Sequence, residues 1–442
     1  MMPSLLPTLI TRGRVPKSLE EVTSFGEPEI DPLLVDADPV RVDAAWRAVE
    51  RLYRSGIHPA IQLCVRRRGH VLIDRAIGYA RGGGPGDARG SELVLATPDS
   101  PFNIFSASKA VTAMVIHLLD QKHLIHLDDP VCEFIPEFGV HAKQWITLRH
   151  ILTHRAGMPN LPAEAMNLDY LAQPKAVIEV LCRAKPTWRP GQRLAYHAIS
   201  GGFILGEVVR RVTGMDIRAY ITREIRQPLG FRWMSYGVEW DEIDAVATNY
   251  FTGPPVLPPL STLLGRALGV GFREAIALSN DPRFLTGIVP SANVVATANE
   301  LCRFYQMLLN GGQLDGVRIF DPRTIRRATS EQSYLEVDFT LGLPLRYGMG
   351  FMLGGKWFSL YGIDTERTFG HLGFTNIVSW ADPARQVSGA LMTNGKPVLY
   401  PEIVHAFDVL RQIALACPKE ANLIWPPMVT DAADASLRRH GT

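Results

Sequence analysis

A serine followed three residues later by a lysine, Ser106-Ala107-Ser108-Lys109, is the strongest chemical signal in the chain. A serine hydroxyl is a poor nucleophile until a neighbouring base takes its proton. On a helix, positions three apart share a face one turn from each other, so Lys109 can reach the Ser106 hydroxyl. A lysine in a dry pocket loses basicity and can serve as that base. The helix start also leaves the backbone N–H of Ser106 free to face an oxyanion. The pair opens the run Ala107–Leu119, which is apolar nearly all round and a poor place for a lysine without a task.

Two further segments carry suitable polar groups. Tyr196-His197-Ala198 follows the Pro190-Gly191 turn and precedes a helical run beginning near Ile199. Tyr196 there is a candidate second base or proton shuttle, and His197 a candidate substrate contact. Phe369-Gly370-His371-Leu372-Gly373-Phe374 comes directly before the β-type stretch Thr375–Ala381. Glycines at the start of a strand let a ligand approach the backbone closely. The N–H of Phe374 is therefore the candidate partner of the Ser106 N–H in an oxyanion hole. His371, Leu372 and Gly373 are candidate substrate contacts.

The elements that must position these residues can be read from periodicity. Asp43–Arg54 has helical spacing. Ala60–Val65 and Val71–Ala80 suit strands, joined by a hairpin tip at Arg66-Arg67-Arg68-Gly69-His70. Ala176–Ala184, Gly202–Thr213 and Ser291–Leu309 read as helices. Phe374–Ala381 and Gln386–Thr393 read as strands about the turn Asp382-Pro383-Ala384-Arg385, and Val404–Leu415 as an amphipathic helix. The order is strand pair, helical block, strand pair, helix. Strands distant in sequence then share one antiparallel sheet, with the helical block inserted as a second domain. The expected division is an N-terminal arm over 1–40, an α/β domain from 41–105 and 286–418, a helical domain over 106–285, and a tail over 419–442.

The bulk numbers fit that plan. The chain has 442 residues, 46% apolar and 20% charged, enough for a large core in two or three domains. A formal net charge of +2 gives no field to gather nucleic acid or a membrane surface. No run approaches the ~18 apolar residues of a membrane span, and the proline-interrupted N-terminus lacks the order of a secretory signal. Five scattered cysteines (Cys64, Cys132, Cys182, Cys302 and Cys417), with no CxxC, suit buried thiols in a reducing compartment. The expectation is a cytoplasmic protein; its oligomeric state is left open, a homo-oligomer included.

The three signals, in this order, resemble the serine β-lactamase and penicillin-binding-protein superfamily, most of all the family VIII carboxylesterases and class C β-lactamases. Those families carry S-x-x-K, then Y-x-N or a relative, then K-T-G or H-x-G. Here the matches are Ser106–Lys109, Tyr196-His197-Ala198 and His371-Leu372-Gly373. Leu152–Pro159 (LTHRAGMP) and Met307–Gly312 (MLLNGG) resemble further stretches of the family. The resemblance covers roughly residues 42–415. It implies an α+β fold of β-lactamase/transpeptidase type, with an antiparallel sheet flanked by helices and an inserted all-helical domain. It also implies a cleft between the domains, an acyl-enzyme on Ser106, and no metal or cofactor. Two departures matter. Ala198 stands where β-lactamases usually carry Asn, and His371 where they carry a Lys that binds a substrate carboxylate. A histidine is mostly neutral at pH 7. The expectation is hydrolysis of small-molecule carboxylic esters. β-lactam hydrolysis or D-amino-acid peptide cleavage is the alternative, and a non-catalytic binding protein the remote one.

Other patterns carry less. His150 and His154 have the i, i+4 spacing of zinc sites, but Ile151 replaces the glutamate, and packing is the expected role. No G-x-S-x-G surrounds any serine. The Gly-rich segment Arg81–Arg89 lacks a phosphate-loop pattern. The aromatic stretch Lys356–Arg367 is a candidate wall or lid of the acyl pocket, and Pro254–Asp281 a candidate border.

Overall fold

The computed structural model describes residues 10–421 apart from residue 89, together with 425 and 426. Asp38 caps helix α1 (Pro39–Arg54), its carboxylate accepting the Val40 N–H at 2.9 Å, with Pro39 in the first helical position. The strands follow in chain order: β1 Thr23–Phe25, β2 Ala60–Arg67, β3 His70–Arg81, β4 Val94–Leu95, β5 Phe102–Asn103, β6 Ser235–Tyr236 and β7 Val294–Ala296. After them come β8 Ser333–Val337, β9 Pro344–Tyr347, β10 Met352–Leu353, β11 Phe369–Gly373, β12 Ile377–Asp382 and β13 Val387–Thr393.

Among the described residues ten strands make one antiparallel sheet, in the order β1-β3-β2-β13-β12-β11-β10-β9-β8, with β4 added to β3. Its centre joins the two ends of the chain: Leu63 of β2 pairs with Leu391 of β13, and Cys64 with Ala390. Every residue of β2 is buried because both faces are covered. Ile61, Leu63 and Val65 face a core shared with α1 and the C-terminal helix Ile403–Ala416, whereas Ala60 and Cys64 face the core of the helical part. This two-sided burial explains why the strand reads as a continuous apolar run instead of an alternating one.

The helix opened by the Ser-Lys pair, α2 (Ser108–Gln121), is buried at every position from Ser108 to Asp120. Burying side chains such as Val111, Ile116 and Leu119 contributes roughly 1.5–3 kcal/mol each. The helices Pro174–Arg183 and Ser200–Thr213 agree with the periodicity within two residues.

The structure corrects two expectations. Ser291–Leu309 is not one helix: β7 pairs with β5 and β6, and the helix runs only over Ala298–Leu309. Thr297 caps that helix, with Glu300 returning the bond in a reciprocal box. Second, the Phe374–Ala381 run is split. His371-Leu372-Gly373 ends strand β11, and Phe374-Thr375-Asn376 is the turn into β12, with Thr375 at φ 43° and Asn376 at φ 54°. From the N-terminal arm, Thr23–Phe25 adds an edge strand to the sheet. From the tail, Trp425 reaches the core. Trp425 stacks on Phe369, centroids 5.1 Å apart, and its indole N–H donates to the Leu309 carbonyl at 2.8 Å. Residues 1–9 of the arm and residues 422–424 and 427–442 of the tail lie outside the described residues. Among the described residues no helix is long and apolar enough to cross a membrane. All five cysteines are unpaired, four of them buried.

Candidate active site

Ser106 lies in a 3-10 turn, Phe105–Ala107, that leads directly into α2. The turn is held by unusual backbone: Phe105 sits at φ 47°, its N–H bound to the Asn103 side chain at 3.0 Å. One helical turn on, the Lys109 Nζ lies 3.2 Å from the Ser106 Oγ. The same Nζ donates to the Ser291 carbonyl at 3.0 Å and stands 4.8 Å from the centre of the Tyr196 ring. Ser291 is available because it precedes β7 outside any helix. Gly202 lets the neighbouring helix close on it; a Cβ there would come within 2.2 Å of the Ser291 hydroxyl.

Burial sets the electrostatics of the site. Lys109 is 8% exposed, and desolvation pulls its amine from 10.5 down to about 7. Near neutral pH a large fraction therefore carries a lone pair that can accept the Ser106 proton. Tyr196 is shifted the opposite way. Burial raises its phenol well above the ordinary value of 10, against the lowering effect of a hydrogen bond with Ser106. It stays a phenol at neutral pH, which suits relaying a proton better than acting as a base.

Asp338 holds Tyr196 in place. Its Oδ1 accepts the Tyr196 N–H at 3.0 Å as well as the Thr340 and Leu341 N–H groups, and the Tyr347 hydroxyl donates to its Oδ2 at 3.2 Å. Removing this carboxyl orphans four donors, two of them buried. Asp338→Ala is expected to lose about 3 kcal/mol of stability and at least tenfold in kcat. Asp338→Asn keeps the shared acceptor and is expected to restore most of both. Urea midpoints and turnover, measured on both variants, check this pair.

The other expected residues are placed as follows. His371 is 1% exposed, hydrogen-bonded through Nδ1 to the Leu372 carbonyl at 2.7 Å, with its ring 6.3 Å from that of Tyr196. Desolvation, aided by Lys109, drops it to about 3, so it is neutral. His197, expected as a substrate contact, borders a small space with Lys109 and His154. Its ring is buried, Nε2 accepting the Met158 N–H at 3.3 Å, and its own N–H binds His154 Nδ1 at 3.2 Å. His150 instead closes the cap of its own helix with Thr147. Leu372 is half-buried against the sheet core. Gly373 brings β11 against the serine turn; a Cβ there would meet the Ile104 carbonyl at 2.5 Å. That contact sets Phe374 beside Phe105, rings 5.2 Å apart, and both Ser106 and Phe374 line one cavity.

The cavity measures about 860 Å³ counting its open mouth. Among the described residues, none that lines it carries a charged side chain. Leu268, Val270, Ala275, Leu278 and Ser279 contribute from the expected border region, but nothing from Lys356–Arg367 does. That stretch is not the pocket's wall; Trp357 within it is 81% exposed. Sequence reading missed Asp338, Ser291 and also Lys396. The buried Lys396 amine donates to the Thr393 carbonyl at 2.6 Å and lies 4.7 Å from the Phe105 ring, bracing the residue before Ser106. Asp338 has only the local signal of a turn residue, and nothing in sequence ties it to Tyr196, 142 positions away.

This fold, carrying a serine-lysine pair at the start of a buried helix, defines a serine hydrolase of the β-lactamase and penicillin-binding-protein superfamily. The chain belongs to the Beta-lactamase family, whose profile matches residues 47–408. It is similar to the esterase/beta-lactamase LipL of Mycobacterium tuberculosis, 29% identical over 419 residues that cover 90% of this chain and 92% of that protein. Among solved structures, a penicillin-binding-protein homologue from Caulobacter crescentus superposes with a TM-score of 0.72 at 24% identity, over 85% of this chain and 97% of the other. A family VIII carboxylesterase does so with a TM-score of 0.72 at 23% identity, over 84% and 97%.

Proposed function

We propose that the protein is a carboxylesterase acting through an acyl-enzyme on Ser106. Neutral Lys109 takes the hydroxyl proton as Oγ bonds to the ester carbonyl carbon. The backbone N–H groups of Ser106 and Phe374 receive the oxyanion. The tetrahedral species collapses, the carbon–alkoxy bond breaks, and the proton passes from Lys109 through the Tyr196 phenol to the leaving alkoxide. Water then attacks the acyl-serine, losing its proton by the same route. Release of the carboxylic acid restores the Ser106 hydroxyl. The steps use side chains and backbone of this chain alone.

The observation that carries the ester reading is the absence of charge where a substrate carboxylate would sit. His371 occupies the position at which the resembling β-lactamases carry lysine, and it is buried and neutral. Among the described residues, the cavity beside Ser106 offers no cationic side chain. An anionic substrate would be desolvated there without a partner, at a cost of several kcal/mol. A neutral ester escapes this cost. β-Lactam hydrolysis is the second reading, favoured by the double name of the Mycobacterium relative. Side-by-side kcat/KM values for p-nitrophenyl butyrate and nitrocefin decide between them. The expected result is at least a hundredfold preference for the ester; predominant nitrocefin turnover reverses the assignment.

A further inference from the structure

Building on the ester reading, we propose that the cavity beside Ser106 binds the acyl half of the substrate and selects uncharged aliphatic acyl chains longer than acetyl. The alcohol half leaves on the opposite, Tyr196 side.

The orientation follows from what does and does not line the cavity. Ser106, Phe374 and Ala198 do. Lys109, Tyr196 and His371 do not; Lys109 borders a separate, smaller space with His154 and His197. The groups that carry the leaving group's proton therefore stand on one side of Oγ and the cavity on the other. The alkoxide must depart next to its proton donor. The acyl group stays bonded to Oγ and projects the other way, into the cavity.

The selectivity follows from the lining. Met166, Leu168 and Leu171 come from one segment, Leu278 and Phe284 from another, and Phe203 from the helix between them in sequence. Among the described residues two polar side chains besides Ser106 line the cavity, and the oxygen of each is engaged. Asn167 accepts the Asp169 N–H at 2.9 Å, and the Ser279 hydroxyl donates to the Ile276 carbonyl at 2.7 Å. Such a lining rewards each buried methylene by up to about fourfold and gives nothing to a charged or hydroxylated chain. The lining draws on segments from 161 to 374, an apolar surface longer than an acetyl group can cover. Thioether and leucine side chains adjust to chains of differing length.

The test measures kcat/KM of the full-length protein for p-nitrophenyl acetate, butyrate and octanoate. A parallel series at constant acyl group uses methyl, butyl and octyl acetate. The acyl series is expected to rise at least thirtyfold from acetate to octanoate, and the alcohol series by less than about threefold. Leu278→Trp, which intrudes on the cavity, is expected to lower the octanoate-to-acetate ratio at least tenfold, and Ala275→Trp does the same should the first variant fail to fold. A flat acyl series, a steeper alcohol series, or an unchanged ratio in a folded tryptophan variant overturns the inference while leaving the ester reading standing. No turnover of any ester, with nitrocefin hydrolysed, brings down the ester reading and the inference with it.

Discussion

Ser106→Ala is expected to yield a folded protein that no longer takes up a fluorophosphonate label and whose ester turnover is at least 10⁴-fold below wild type. The loss is large because no other group replaces the bond Oγ makes to the acyl carbon, and residues that act as one unit lose nearly everything when one is removed. The fold is expected to survive. Ser106 sits in a short turn at the cavity, and the alanine methyl leaves the Phe105–Asn103 bond and the turn into α2 untouched. Intact-mass and peptide mass spectrometry after labelling read the outcome. A label that persists on the variant, or that maps to another serine in wild type, removes Ser106 from the mechanism.

Lys109→Met is expected to cost 10³- to 10⁴-fold in kcat without unfolding the protein, since a thioether of similar length fills the same buried space. The pH dependence carries the sharper signature. The amine titrates near 7 in the folded protein, and only its neutral form accepts the Ser106 proton. In wild type kcat/KM therefore rises about tenfold per pH unit below 7 and levels off above it. The methionine variant is expected to lose that limb. The same shift links to stability. Between pH 7 and 10.5 the unfolded chain holds the lysine proton and the folded chain does not, so wild type gains stability relative to Lys109→Met as pH rises across that window. A wild-type profile with no limb near 7, or a variant that keeps it, rules out lysine as the base.

The chemistry was legible where it is local, and the positioning was not. Ser106 and Lys109 are three apart on one chain segment, so helix geometry alone brings them together. The sheet strands Ala60–Arg67, His70–Arg81 and Val387–Thr393 declared themselves as β-branched and apolar runs between turns. The misread helix at 291–309 shows the limit of periodicity: Val294, Ala298 and Leu301 keep helical spacing across a strand and a helix alike. The box Thr297-x-x-Glu300 was the signal that separates them. Likewise the Phe374–Asn376 turn hides in a run of β-type residues, because a threonine at positive φ is an exception that only tertiary packing sustains. Asp338, Ser291 and the leucines of the cavity come together through contacts more than a hundred residues apart, and no local pattern encodes them.

The pairing of β2 with β13 has a consequence for synthesis in the cell. The hairpin of β2 and β3 emerges from the ribosome roughly three hundred residues before its central partner strand. At translation rates of about 5–20 residues per second, that is a delay of roughly 15–60 s. Through that interval the edge of β2 that β13 will fill stands open to pairing with other nascent chains.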